Sequence, residues 1–353
     1  WEYKNSTNAL TINYHELGQN SLYDLKLFQQ AMRVNKTPLF ACDCVKKNGV
    51  VSKIILSIHH VLMDGRGASF FLEDLHAHDF SFKAPFNVLQ YFPKENAPKL
   101  SWYNHVKNMY FIKYFMYQHQ SQNNANFNNV SSNSFKIKVV EFNQGESLQI
   151  NNNAQLKGSK FGLNQFLLAV SIKEINELFR EKNIHGDCWL PIPYDGRKRG
   201  GTGPIISNAI SFLFYRIKHA EQKSIQTIVK EIQFQMMDQL RQDVPRKYSL
   251  FLEMMQYIPE KLFSFLILRA SAGNLASFLY SASIEQARDV ANKFELQVKN
   301  MYIIPPFSSP PGITISFLTF NGQLSLNLVY DEALLNESEL LAIIERLKIK
   351  LLA

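Results

Sequence analysis

Two adjacent histidines, His59 and His60, are followed at close spacing by Asp64 and Gly65. Histidine ionises near pH 6.5 (roughly), so it is the side chain best suited to take up and return a proton at working pH. A nearby carboxylate can pair with a cation or cap a helix. The run Val50–Leu56 before the histidines is apolar and β-branched, which predicts a buried strand. The run Gly67–Leu75 after them carries apolar residues at helical spacing, which predicts a helix. The histidines therefore fall where a strand ends and a helix begins, held by a rigid element and able to face a cleft. The same residues could also be two ordinary strand-end histidines and a helix-capping aspartate.

The pattern His-His-x-x-x-Asp-Gly, complete here as His59, His60, Asp64 and Gly65, resembles the signature of the CoA-dependent acyltransferase superfamily. That superfamily includes chloramphenicol acetyltransferase, plant BAHD acyltransferases, nonribosomal-peptide condensation domains and wax ester synthases. The resemblance implies that His60 is the general base, that the acceptor attacks the thioester directly without an acyl-enzyme, and that His59 supports the site. It implies that Asp64 points away from the base and pairs with an arginine, holding the loop in shape, while Gly65 permits a tight turn into the helix.

A second stretch, Cys188–Arg199 followed by Ser207–Tyr215, resembles another signature of the superfamily: a strand ending in a turn with an arginine, then an asparagine before the next strand. Arg197 best takes the place of the arginine that pairs with Asp64, with Arg199 as second choice. Asn208 would line the floor of the site, or serve as a turn or strand-start residue. Arg197–Arg199 could equally be a solvated basic turn or meet a phosphate. Tyr280-Ser281-Ala282-Ser283 loosely matches a serine-containing active-site strand of wax-ester-synthase-like proteins, which makes Ser281 a candidate substrate-lining residue. Ser283 reads better as an N-cap for a helix over Ile284–Phe294. The Asp-Phe-Gly-Trp-Gly motif of the plant branch is absent, which disfavours that branch.

Composition sets wider limits. A chain of 353 residues with 46% hydrophobic and 13% aromatic residues can build one large or two medium domains with an ample core. A net charge of +8 could serve CoA phosphates, an acidic carrier protein or an anionic membrane, or be a solvated surface. No nucleic-acid motif accompanies it, and no apolar run approaches the roughly 18 residues of a spanning helix. Three cysteines give no disulfide framework; Cys42 and Cys44 alternate on one predicted strand, a poor geometry for a bridge. They read as buried thiols in a reducing cytoplasm. No metal-ligand cluster, glycine-rich phosphate loop or Gly-x-Ser-x-Gly elbow is found. The start at Trp1 is not a signal peptide and suggests a chain beginning inside a longer protein, because the superfamily carries a further strand and helix before this point.

Along the chain, strands are expected at 8–14, 39–45 and 135–142, with a hairpin turn at Asn48-Gly49. A short helix is expected over Ser21–Met32. Residues 100–119, rich in Tyr, Phe, Trp and Met, predict an amphipathic or interfacial helix that docks on the core or touches a membrane. Gln120–Ser134 is rich in Asn and Ser and predicts an exposed linker or disordered loop near a domain boundary. Asn164, Ser224 and Asn336 are expected to cap helices, and Asn321-Gly322 to close a second hairpin.

The strands and helices fit a mixed α/β, two-subdomain architecture, and the resemblance implies two chloramphenicol-acetyltransferase-like subdomains with an active-site tunnel between them. Residues 1–134 would form the N-terminal subdomain and residues 135–353 the C-terminal one. The expected function is acyl transfer from acyl-CoA or an acyl-carrier protein, as co-substrate, to a hydrophobic alcohol or amine, with the hydroxyl favoured. No permanently bound cofactor is implied. The expected place is the cytoplasm, with peripheral membrane contact open. Two alternatives stand beside this reading: an amide-forming condensation domain with a carrier-protein partner, and a non-catalytic binding paralogue.

Overall fold

The computed structural model describes residues 12–16, 40–60, 62–77, 102–119, 124–127, 135–195, 197, 210–255, 258, 259, 261, 275–283 and 298–353. The expected helix over Ser21–Met32, Asn208 and the helix after Ser283 lie outside the described residues.

Strand β1 (Ile12–Glu16) lies parallel to β2 (Phe40–Lys47), which turns back into antiparallel β3 (Val50–Ile58). The β2–β3 turn uses Asn48 and Gly49 at φ 55 and 77, as a two-residue Asn-Gly hairpin requires. Among the described residues the sheet order β1-β2-β3 leaves β3 on an edge. This corrects the expectation of a buried strand. Val50, Val51 and Ile54 are exposed, and within β3 only Ile55 is buried. β-Branched residues suit the extended backbone, but along Val50–Ile54 the side chains on both faces of the strand are exposed. Cys42 and Cys44 are buried free thiols on β2, and burial raises the pKa of Cys42. Helix α1 (Gly65–Ala77) follows the histidines.

Helix α2 (Trp102–His119) buries Ile112 and Phe115. Phe115 packs with Trp189, Phe214 and Val244, so α2 docks on the protein's own core. The stretch expected to be an exposed linker is partly buried. Residues 124–127 lie against the core, Asn124 bridges to Asp187, and Phe127 sits 5.1 Å from Phe179 between ring centres. The polar composition hid two apolar anchors, Ala125 and Phe127.

The largest core lies in the C-terminal part. Strands β4 (Phe135–Glu141), β7 (Leu279–Ser283), β8 (Ile313–Phe320) and β9 (Gln323–Asp331) form one sheet in the order β4-β9-β8-β7. Ile313, Ile315 and Phe317 with Leu324, Leu326 and Leu328 alternate onto its core face. There they meet helices α3 (Gln144–Leu156), α4 (Leu163–Glu181) and α7 (Glu337–Leu352). Asn336 caps α7 in a reciprocal capping box with Glu339. α4 begins two residues earlier than expected: Gly162 is its N-cap, and Asn164 instead accepts a hydrogen bond from the Tyr280 hydroxyl at 2.8 Å.

Strands β5 (Cys188–Asp195) and β6 (Ile210–Ile217) form a separate antiparallel pair. Helices α5 (Ile225–Arg241, capped by Ser224) and α6 (Val244–Met255) pack against β6. Trp189 ties this ribbon to the approach to β7. Its N–H donates to Ser277 Oγ at 3.0 Å, and its C=O accepts from Ser277 N–H at 2.8 Å.

Candidate active site

The segment between β3 and α1 is built by short-range bonds. Leu62 N–H donates to the His59 carbonyl at 2.9 Å, closing a turn around the two histidines. Asp64 then caps α1. Its Oδ1 accepts from Gly67 N–H at 2.7 Å, and its carbonyl accepts from Ala68 N–H at 2.8 Å. His59 is half-buried and His60 is exposed.

Gly65 does not make the tight turn expected of it. It is the first residue of α1, without a positive φ, and a Cβ there would meet no heavy atom within 4 Å. The turn is made before it, at 59–62, and the helix start is fixed by the Asp64 cap.

Arg197, just past the end of β5, reaches across to this cap. Its Nη1 and Nη2 donate to Asp64 Oδ2 and Oδ1, both at 2.9 Å. The two side chains are 6% and 3% exposed, so this is a buried, bidentate pair. Two further residues that the sequence reading did not single out extend it. Asp195 accepts from Arg197 Nη1 at 3.0 Å and from the Arg197 backbone N–H at 3.1 Å, and it lies 3.3 Å from Arg66 Nε. Both guanidinium groups stand over the Phe70 ring, at 5.2 Å for Arg66 and 6.0 Å for Arg197. The charges thus alternate Arg66, Asp195, Arg197, Asp64 from the outside inward, with Phe70 beneath. The signal for Asp195 was its place two residues before Arg197, where an aspartate side chain readily accepts the following N–H.

The structure joins Asp64 and Arg197, carries His59 and His60 on the segment that this pair anchors, and places Ser281 in a different sheet. Ser281 on β7 pairs with Ser316 on β8, which pairs with Asn327 on β9, so the three make a polar row on the face opposite the core. Among the described residues no group of three or more His, Cys, Asp or Glu side chains is arranged to hold a metal ion. Within the same residues no helix is long and apolar enough to cross a membrane.

No protein-family model matches the chain, and neither does any curated protein sequence. Its likeness is to solved structures. The trichothecene 15-O-acetyltransferase of Fusarium sporotrichioides superposes with a TM-score of 0.67 at 12% identity, covering 97% of this chain and 76% of that one. The first condensation domain of the calcium-dependent antibiotic synthetase gives 0.62 at 12% identity, covering 99% and 79%. The epimerization domain from the third module of tyrocidine synthetase B gives 0.54 at 12% identity, covering 98% and 79%. The fold is therefore the mixed α/β, two-subdomain architecture of chloramphenicol-acetyltransferase-like acyltransferases and condensation domains.

Proposed function

We propose that the protein is an acyltransferase that moves an acyl group from a thioester to a hydroxyl, with His60 as general base. The observation that carries this reading is the anchoring of the His59–His60 segment. The segment is held at one end by β3 and at the other by the buried Asp64–Arg197 pair, and His60 is an exposed residue. Such a base is held by its backbone yet accessible to a substrate. The acceptor oxygen attacks the thioester carbonyl carbon as His60 takes the hydroxyl proton. The tetrahedral intermediate collapses, the carbon–sulfur bond breaks, and His60 returns the proton to the leaving thiolate. Asp64 and Arg197 hold the loop, and His59 supports it. The donor is an acyl-CoA or an acyl-carrier thioester, and the acceptor a hydrophobic alcohol.

A second reading, amide formation with a carrier-protein donor, draws support from the condensation domains that share the fold. Thiol release from a panel of acyl-CoAs, with an alcohol or an amine as acceptor, separates the two. Acceptor-dependent release with alcohol, lost in His60→Ala, is the expected result. Release only from a carrier-bound thioester and only with amine would replace it by the condensation reading. No release from either donor would leave a binding role.

A further inference from the structure

The side of α2 that faces away from the core has a distinct make-up. Tyr103, Tyr110 and Tyr114 are 73%, 69% and 63% exposed. At about 100° per residue they fall within a sector of roughly 40°, directly opposite buried Ile112. The row runs about 16 Å along the helix axis. Lys107 and Lys113 are exposed beside it, and α2 contains no Asp or Glu. Helix α6 packs against α2 and adds cations. Lys247 Nζ lies 3.7 Å from the centre of the Phe111 ring, and Arg246 is 68% exposed; Asp243, 3.9 Å from Arg246, offsets part of that charge.

We propose that this face docks on an anionic lipid surface. A tyrosine ring rests at headgroup depth with its hydroxyl in water. A lysine lays its stem along the rings and places its ammonium among lipid phosphates. The three rings form a straight ridge, a shape that meets a plane along its whole length. An anchor for a protein partner would instead project into a matching pocket at the centre of a closed patch. The exposed side chains described on this face are Tyr, Lys and Asn, without Leu, Ile or Trp, so the contact is shallow. It depends on charge and rings together, and it weakens with salt. This inference is independent of the acyl-transfer reading, since it concerns binding alone.

Co-sedimentation of the full chain with vesicles tests it. Phosphatidylcholine vesicles containing phosphatidylglycerol should pellet the protein, phosphatidylcholine alone should not, and added salt should release it. Lys107→Gln with Lys113→Gln should lower partitioning roughly fivefold for each lysine. Tyr103→Ser, Tyr110→Ser and Tyr114→Ser together should also lower it. Circular dichroism and Tm should stay unchanged in both variants, because none of these side chains is in the core. Equal partitioning on both vesicle types, no partitioning on either, or wild-type partitioning by the tyrosine variant would overturn the proposal. Tighter binding to polyglutamate than to anionic vesicles would also overturn it, in favour of an acidic protein partner.

Discussion

Arg197 meets Asp64 with two parallel N–H donors in a nearly water-free setting. Removing one member of such a pair strands the other charge, which costs about 3–5 kcal/mol. Arg197→Ala should therefore lose that amount in urea denaturation, and Arg197→Lys should recover only part of it, because an ammonium cannot reproduce the fork. The outer residues behave differently. Arg66 and Asp195 are 44% and 40% exposed, so Arg66→Ala should cost under about 1 kcal/mol. If the two variants were equally destabilised, the inward gradient of the charge row would carry no energetic meaning. Gly65→Ala gives a sharper contrast with the superfamily pattern. With helical backbone and no atom near the new methyl, the variant should fold with unchanged or slightly higher stability, by up to about 1 kcal/mol. A fall in acyl transfer with intact Tm would then assign the glycine to substrate approach rather than to the turn.

At the scale of elements, α4 and α7 are joined by a carboxylate that has no solvent exposure. Glu174 accepts from Arg346 Nε and from Lys350 Nζ, both at 2.6 Å, and Lys350 also reaches Glu177 at 2.7 Å. Replacing Arg346 and Lys350 together by Ala should cost about 3–5 kcal/mol, since Glu174 would be left buried without a cation. Either single replacement should cost clearly less, as measured by urea midpoints. The start of β8 is equally intolerant. Gly312 sits at φ 76, and a Cβ there would run into the buried Leu334 side chain, so Gly312→Ala should lower Tm by several degrees. Elements of this kind differ in how plainly the sequence announces them. Asn48-Gly49, Asn321-Gly322, Ser224 and Asn336 act through their nearest neighbours, so local chemistry reveals both hairpins and both caps. Helix α3 carries Asn151, Asn152 and Asn153 and gives no apolar period to read. It holds through the Asn143 capping box, buried Ile150 and Ala154, and Asn153 Nδ2 donating to the Leu351 carbonyl at 3.0 Å. The edge exposure of β3 and the burial of 124–127 depend on what other segments do, which no local pattern encodes. For the same reason the residue types around His60 were legible, whereas the Arg66–Asp195 arm was not.

Across the whole molecule, the core carries several groups whose ionisation folding suppresses. Burial pushes the Cys188 thiol up to about 12 from 9.0, outweighing hydrogen bonds from Asn176 and Ser277. Burial likewise pushes Tyr248 to about 12 from 10.0, and raises Tyr215 and Tyr280. All four bind their proton more tightly when folded, so their contribution is fully present below the unfolded values of 9.0 and 10.0 and is lost as pH rises toward about 12. Tm should hold steady near neutrality with respect to these groups and fall increasingly steeply above about pH 9. Cys188→Ala should make that fall shallower between 9.0 and about 12, and an unchanged slope would show that the thiol does not report on unfolding. Native Cys188 should also resist alkylation at neutral pH until the protein is denatured.

The clamp on the histidine loop joins residues separated by 133 positions in the chain. A ribosome adding about 5–20 residues per second therefore releases the loop well before its arginine exists, by roughly ten seconds. Throughout that interval the nascent polypeptide carries its two histidines without the guanidinium that fixes them. Assembly of the site is in this sense a late event of synthesis, delayed until Arg197 has been made and has reached Asp64.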